Sequence, residues 1–417
     1  MRWFLNFVIK VLRRCWRIFL FFISLPISAI IIVLFPFYKI KFLKLFSDRI
    51  GHYAVNTELL LCYLDQIKQH EKRTKYFFYI SDAPICNASL HSMWKRVIPI
   101  VSMTKIAGNV DRWLLRILSD RYKSSILRKF EVPDGYQDIE NNLQKNKQHL
   151  SFTKDEMRRG EKLLSQLRIP VNSKWVCLLV RDSAYLDKYL PGLDWSHHFY
   201  RDCDIKNFEK ASLFLADRGY YVIRMGKAVS NIFHVSHKNI IDYANHPLRS
   251  DAGDIYLSAH CTFFISTSTG LDAVAQIFRK PVMMVNIAPF KFQLQYWFPL
   301  ELFITKKVYD KKNNRFLSFR EIDDTIPQQC DVRKVAHELN YEIVENTEDE
   351  ILALVSEMES RLNQNFLCDV ENKFHDFLKT DRVFSMIMDR NLLRSSPEKC
   401  YIRIGEAFLK ENYALFL

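Results

Sequence analysis

Glycine is scarce, at 10 of 417 residues. That excludes Gly-periodic fibrous architectures, and no repeat of fixed period is present. Neither a G-x-G-x-x-G nor a Walker spacing occurs, so the two commonest glycine-built phosphate cradles are missing. Nine cysteines (15, 62, 86, 177, 203, 261, 330, 368 and 400) are scattered and odd in number, with no C-x-x-C or Cys/His metal spacing. They read as small buried hydrophobes in a reducing compartment, and no metal or other cofactor is expected. Acidic residues are nearly absent from the first 50 positions, which hold nine Lys/Arg and one Asp, or +8 of the +13 net charge. A nucleic-acid binder spreads its basic patch over a folded surface. Here the excess flanks an apolar segment instead, which predicts a membrane partner and no nucleic acid.

That segment, Ile18 to Tyr38, is 21 residues without a charge, bracketed by Arg13, Arg14 and Arg17 and by Lys39, Lys41 and Lys44. It is long enough to cross a hydrocarbon core of about 30 Å. Pro26 near its middle and the balanced basic flanks favour a dip that enters and leaves one leaflet, with an uncleaved signal anchor as the alternative. Beyond it the pattern is α/β. Residues 47–170 form a first domain, with strand-like runs at Tyr76–Ile80 and Val97–Val101 and a capping box at Thr153/Glu156. Ile169-Pro170 marks its end. Residues 171–330 form a second domain, with strands at Val176–Val180, Tyr220–Ile223, Ile240–Ile241, Cys261–Ile265 and Pro281–Val285. A helix from Asn207 to Asp217 closes on Gly219. Residues 331–417 read as mostly helical and pack back on the body, with a Thr347/Glu350 capping box.

Strands that alternate with helices and end in polar residues mark an open α/β sheet, which binds ligand at its carboxyl edge. Arg181 and Asp182, Arg224 and Gly226, the turn Ser266-Thr267-Ser268-Thr269-Gly270, and Asn286 would then face one crevice. The turn opens a helix, where free N–H groups and the macrodipole favour a phosphate or diphosphate. An ordinary N-cap is the plain alternative. Arg181 and Arg224 suit bidentate pairing with a diphosphate, or else ion pairs with Asp182 or Asp242. Asp251 and Asp254 either hold ribose hydroxyls or cap their helix. The dense polar stretch 194–202, including Tyr200 and Arg201, lies where substrate contacts collect. Asp202-Cys203-Asp204 spells D-x-D but precedes a helix and reads as its cap. His52 and Glu58, at the cleft edge of the first domain, are candidate general bases, and His198 is a rival.

The ordered set RIGH (49–52), VRD-x-x-Y (180–185), HHFYRD-x-D (197–204), GYYVIRMG (219–226), IDYA (241–244), SD-x-x-DIYL (250–257) and CTFFISTSTG (261–270) resembles bacterial glycosyltransferases of surface-polysaccharide gene clusters. The similarity extends from about Arg49 to Phe408–Asn412, with Asp202 standing where the family pattern has Asn. The resemblance implies a GT-B-like fold, two Rossmann-like domains with a cleft between them, the C-terminal one binding the donor nucleotide. It further implies metal-independent transfer of a sugar from a nucleotide-sugar donor to a glycan or lipid-linked acceptor. The expected location is the cytoplasmic side of a bacterial inner membrane. A GT-B-type nucleotide-sugar epimerase and a non-catalytic membrane assembly protein are the alternatives.

Overall fold

The apolar run folds as one continuous helix, α1 (Arg2–Leu34), that passes through Pro26 without reversing. This corrects the expected dip. Proline removes one helical donor, but the adjacent turns are reinforced. The Ser24 hydroxyl donates to the Phe21 carbonyl (2.6 Å) and Ser28 to that of Ser24 (2.7 Å). Within α1, Arg14–Leu34 has mean hydropathy 2.5, long and apolar enough to cross a membrane by length and composition.

The computed structural model describes residues 2–68, 71–81, 83–132, 142–189, 194–289, 302–326, 331–363 and 403–416, with Asp138 and Gly192 as single positions. The chain divides into two compact units, Met1–Tyr136 with Gln148–Ser151, and Gln137–Lys147 with Phe152–Leu417.

In the first unit, β1 (Lys39–Leu45) pairs in parallel with β2 (Thr74–Ile80). Residues 39–45 therefore belong to the sheet of the first unit, ahead of the expected domain start at 47. Their alternation is the reason, since Leu43 and Leu45 point inward and the Lys41 ammonium pairs with Glu71 at 2.9 Å. A π-helical turn (His52–Asn56) leads into α2 (Thr57–Ile67). The expected strand at Val97–Val101 is replaced by the end of α3 (Ala88–Val97), and Ile100 makes a single parallel bridge to Phe78. The Asn87 side chain accepts from the Leu90 N–H and starts that helix, which overrides the β-branched pattern. Helix α4 (Thr104–Leu118) packs on α1, with Ile31, Phe35, Val110, Leu114 and Tyr122 forming a buried cluster.

In the second unit, α5 (Lys154–Gln166) starts at the expected Thr153/Glu156 capping box. It packs on α7 (Asp251–His260), because Gly160 admits the Tyr256 ring where a Cβ would lie 2.1 Å from it. That contact places α5 with the second unit and moves the division upstream of the Ile169-Pro170 break. The main sheet contains β3 (Trp175–Leu179), β4 (Tyr221–Arg224), β5 (Ile240–Ile241), β6 (Phe263–Ser266), β7 (Val282–Ile287), β8 (Leu302–Thr305) and β12 (Arg403–Ile404). Its order is β12-β8-β7-β6-β3-β4-β5, parallel throughout. Every residue of β3, β6 and β7 is buried, as a sheet covered on both faces requires. Helix α6 (Glu209–Asp217) follows β3, and α8 (Asp272–Ile277) joins β6 to β7.

The described residues after 331 are mostly helical, as expected, with two short strands among them. A small antiparallel sheet forms from β9 (Lys307–Asp310), β10 (Arg315–Phe316) and β11 (Tyr341–Val344), and β12 completes the main sheet. Helix α9 (Glu348–Asn363) carries the Thr347/Glu350 capping box, and α10 (Glu406–Glu411) packs against it.

Candidate functional site

From β3 the chain steps outward to β4 and β5, then returns to β6 on the other side of β3 and continues to β7 and β8. The carboxyl ends of β3 and β6 therefore flank the point where strand order reverses, which is where open α/β sheets bind ligands. The two loops are laced together there. The Arg181 N–H donates to Thr267 Oγ1 (2.8 Å), and the Thr267 N–H donates to the Leu179 carbonyl (3.2 Å).

The turn 266–270 is organised by a residue that sequence reasoning passed over, Asp272. Its carboxylate accepts from the Ser266 hydroxyl (2.6 Å) and the Thr269 N–H (3.1 Å). Burial pushes the carboxyl up to about 6 against those hydrogen bonds. Helix α8 is six residues long, and the chain's own carboxylate already takes turn N–H groups. The expected anion seat at this helix start is thus partly filled from within. Ser268 adopts a left-handed φ of 59°, which turns its carbonyl toward the Arg201 guanidinium (2.7 Å).

Cationic side chains supply what the helix start does not. Arg201 is half-buried, and its Nε, itself out of solvent, has no hydrogen-bond partner among the described residues. Burial, and then the neighbouring Arg181, lower it to about 10. Arg181 Nε lies 3.3 Å from Asp202 Oδ1, an ion pair without good hydrogen-bond alignment. Lys306, just past β8, donates to the Asp202 carbonyl (2.6 Å) and stands 4.0 Å from Glu345. Burial raises the Asp202 carboxyl even though Arg181 and Lys306 oppose the rise. Glu345 Oε2 accepts from the Asp204 N–H and the Asn207 amide, both at 3.1 Å, and from Asn286 Nδ2 at 3.5 Å. Asn286 and Asn346 exchange backbone-to-side-chain bonds at 2.9 and 2.6 Å. Arg181, Arg201, Asp202, Asn286, Lys306 and Glu345 therefore form one polar cluster at the carboxyl edge of β3, β6, β7 and β8.

Beside it, past β3, β4 and β5, is a cavity of about 550 Å³ lined by Asp187, Lys188, Lys227, Val229, Ala244 and Asn245 among others. The Lys188 and Lys227 ammoniums stand 5.6 and 5.4 Å from the Tyr189 ring. Gly226 shapes this wall, since its φ of 153° and a Cβ 2.7 Å from Val229 would not suit another residue.

Several expected site residues have structural roles instead. Arg224 is 1% exposed and committed to Asp242 (3.1 Å) and the Asn231 carbonyl (2.8 Å), so it anchors the loop after β4. Asp182 accepts from the Ala184 N–H (3.0 Å) and the Ser230 N–H (2.7 Å), joining two loops. Ser250 caps α7, replacing Asp251 in that part. Asp254 is buried against Arg249, and burial raises its carboxyl to about 6. Asp251 faces Arg249 (3.2 Å) and Lys227 (3.6 Å). Asp204 caps the short 3₁₀ turn Ile205–Phe208, as its sequence context implied. Tyr200 is buried, edge-on to Phe199. Glu58, expected as a general base, is fully buried against His149. His52 opens the π-helical turn, with Gly51 at the cap position, and its ring lies 6.1 Å from that of Phe46. The side chain of His198 lies outside the described residues.

Lys306 and Glu345 were missed. For Lys306 the signal was present: Leu302-Phe303-Ile304-Thr305 is an apolar strand run ending in Lys306-Lys307, the same form that flagged Arg181. Glu345 carries no such signal, because it reaches the cluster through the fold of β11.

No family model matches the chain, and no curated protein matches it. Solved structures to which the chain is similar include a family 9 glycosyl transferase from Veillonella parvula, with TM-score 0.47, 9% identity, 78% of this chain and 98% of that chain covered. Another is the ADP-heptose lipopolysaccharide heptosyltransferase II of E. coli, with TM-score 0.38, 13% identity, and 76% and 99% covered. A third is the iron-containing dodecameric glycosyltransferase TibC of enterotoxigenic E. coli, with TM-score 0.36, 13% identity, and 79% and 77% covered. Likenesses this weak leave the reading of function to the site itself.

Proposed function

We propose that the chain is a membrane-associated glycosyltransferase whose second unit binds a nucleotide-sugar donor. The observation that carries this reading is the meeting of Arg181, Arg201 and Lys306 at the switch point of a parallel, doubly wound sheet. Cations gathered there, Lys306 buried and the two arginines half-buried, suit a diphosphate, and the Arg201 Nε has no partner among the described residues. The ordered motif set from 180 to 270 supports the same reading. The 550 Å³ cavity past β4 and β5 is the place we assign to the nucleoside, within the size range of small-molecule sites.

In this mechanism the guanidiniums of Arg181 and Arg201 and the Lys306 ammonium stabilise negative charge as the donor diphosphate departs. Preorganised charges in a dry site are worth more than the same charges in water. Asp202 and Glu345 hold those cations in place when no donor is bound. The acceptor, a glycan or lipid-linked hydroxyl, is placed at the first unit, with His52 as the base we assign to it. The membrane partner is α1, and the location we propose is the cytoplasmic face of a bacterial inner membrane.

The test is a thermal-shift panel of ADP, UDP, GDP, CDP, CMP and dTDP against the detergent-solubilised full chain, with Arg201→Ala and Arg181→Ala alongside. A nucleotide at 100 times its dissociation constant adds about 2.7 kcal/mol of stability. One nucleotide should stabilise the wild type and lose most of that effect in both variants. If folded wild type is stabilised by none of them, the transferase reading fails and the assembly-protein alternative takes its place.

A further inference from the structure

We propose that Glu58, Cys62 and His149 form a metal site of the zinc class in the first unit, completed on its outer side by Asp65. Glu58 and Cys62 are spaced i, i+4 on α2, so both face the same side of the helix. His149 arrives from a segment 91 residues downstream of Glu58, a distance at which spacing rules cannot register it. One carboxylate oxygen, one sulfur and one imidazole nitrogen lie within 4.8 Å of one another. Four-coordinate zinc, with bonds of about 2.0–2.3 Å, places its ligand atoms roughly 3.3–3.8 Å apart. Glu58 Oε2 and His149 Nδ1 are already at 3.1 Å.

Glu58 and Cys62 are completely buried, and the His149 ring is largely so. A buried carboxylate beside a thiol needs a cation. Two candidates exist, a proton on His149 or a divalent ion. Burial disfavours the imidazolium, although Cys62, Glu58 and Asp65 together push its pKa up to about 10. Uptake of an ion by the folded chain decides between them, and the geometry offers a place for one. His149 Nε2 lies 3.0 Å from Asp65 Oδ2, the carboxylate–histidine arrangement that fixes the tautomer and presents Nδ1 to an ion. Nδ1 itself is buried, and its 3.1 Å approach to Glu58 lacks hydrogen-bond alignment. A carboxylate, a thiolate and a neutral imidazole together neutralise a 2+ ion and leave a fourth position for water. The mixed O, S and N donors suit zinc or a similar borderline ion and disfavour Mg²⁺ or Ca²⁺. Its role is to tie residues 148–151 to α2, independently of the donor-site reading.

The test uses the full chain purified without metal-affinity resin, stripped with chelator and titrated with Zn²⁺ and with Co²⁺. One ion per chain should bind, and Co²⁺ should give a thiolate-to-metal charge-transfer band. Cys62→Ser should abolish that band. Asp65→Asn should weaken affinity 10–100-fold while keeping it, a split that a merely structural carboxylate would not produce. If Cys62→Ser does not fold, the wild-type titration and Asp65→Asn decide. Folded wild type that takes up no stoichiometric ion, or a band unchanged in Cys62→Ser, overturns the proposal in favour of a protonated His149.

Discussion

At the scale of single residues, the arginines divide by what they face. Arg224 meets Asp242 inside the protein, so Arg224→Ala leaves a mostly buried carboxylate without its cation. The expected loss is about 3 kcal/mol of stability, read by denaturant or thermal unfolding. Nucleotide affinity per folded molecule should be unchanged, and a selective loss of affinity with stability intact would return Arg224 to the donor site. Asp272 predicts a pH signature. Its folded pKa of about 6 stands above the ordinary 3.8, so between those values the folded protein keeps a proton that the unfolded chain has released. Stability from this group therefore falls as pH rises from about 4 to about 6, and stays lower above that. Asp272→Asn never ionises, so its stability relative to wild type should improve across that window by an amount on the order of 2–3 kcal/mol. A difference that does not vary with pH would show that Asp272 titrates normally. Asp182, Arg181 and Thr267 were all visible as polar ends of strands. Which of them turns outward and which clasps a loop depends on partners 48 and 86 residues away.

At the scale of elements, α1 has two unlike sides. Ile31 is 6% exposed against Val110 and Leu114, and Val33, two residues on, is 72% exposed. In detergent, Ile31→Ala should cost roughly 2–4 kcal/mol. Val33→Ala should stay within about 0.5 kcal/mol. Equal costs would mean that α1 does not dock on α4. The five strands expected between 176 and 285 were legible to within two residues, because continuous apolar runs between polar ends have few other readings, whereas β8 to β12 were not expected. The capping boxes at Thr153 and Thr347 were legible for the same local reason. The failures at Val97–Val101 and at β11 are cases where a cap or a distant pairing outweighed local propensity.

For the molecule as a whole, attachment to a bilayer should depend on apolar burial more than on charge. The full chain should remain with anionic lipid vesicles at about 1 M salt, where the screening length falls to about 3 Å. Release by salt would reduce α1 to an electrostatic contact and remove the membrane partner from the reading. By itself the sequence determined the apolar helix with basic flanks, the α/β class, the strand-ending arginines and the hydroxyl turn. Each of these follows from periodicity, composition or the chemistry of neighbours a few residues apart. Only the tertiary structure decided that Arg224 is an anchor, that Asp272 fills the turn, that Lys306 joins Arg181 and Arg201, and that His149 meets Glu58 and Cys62. Those outcomes rest on sheet order and long-range packing, and a one-residue spacing rule carries no information about which distant side chain will arrive.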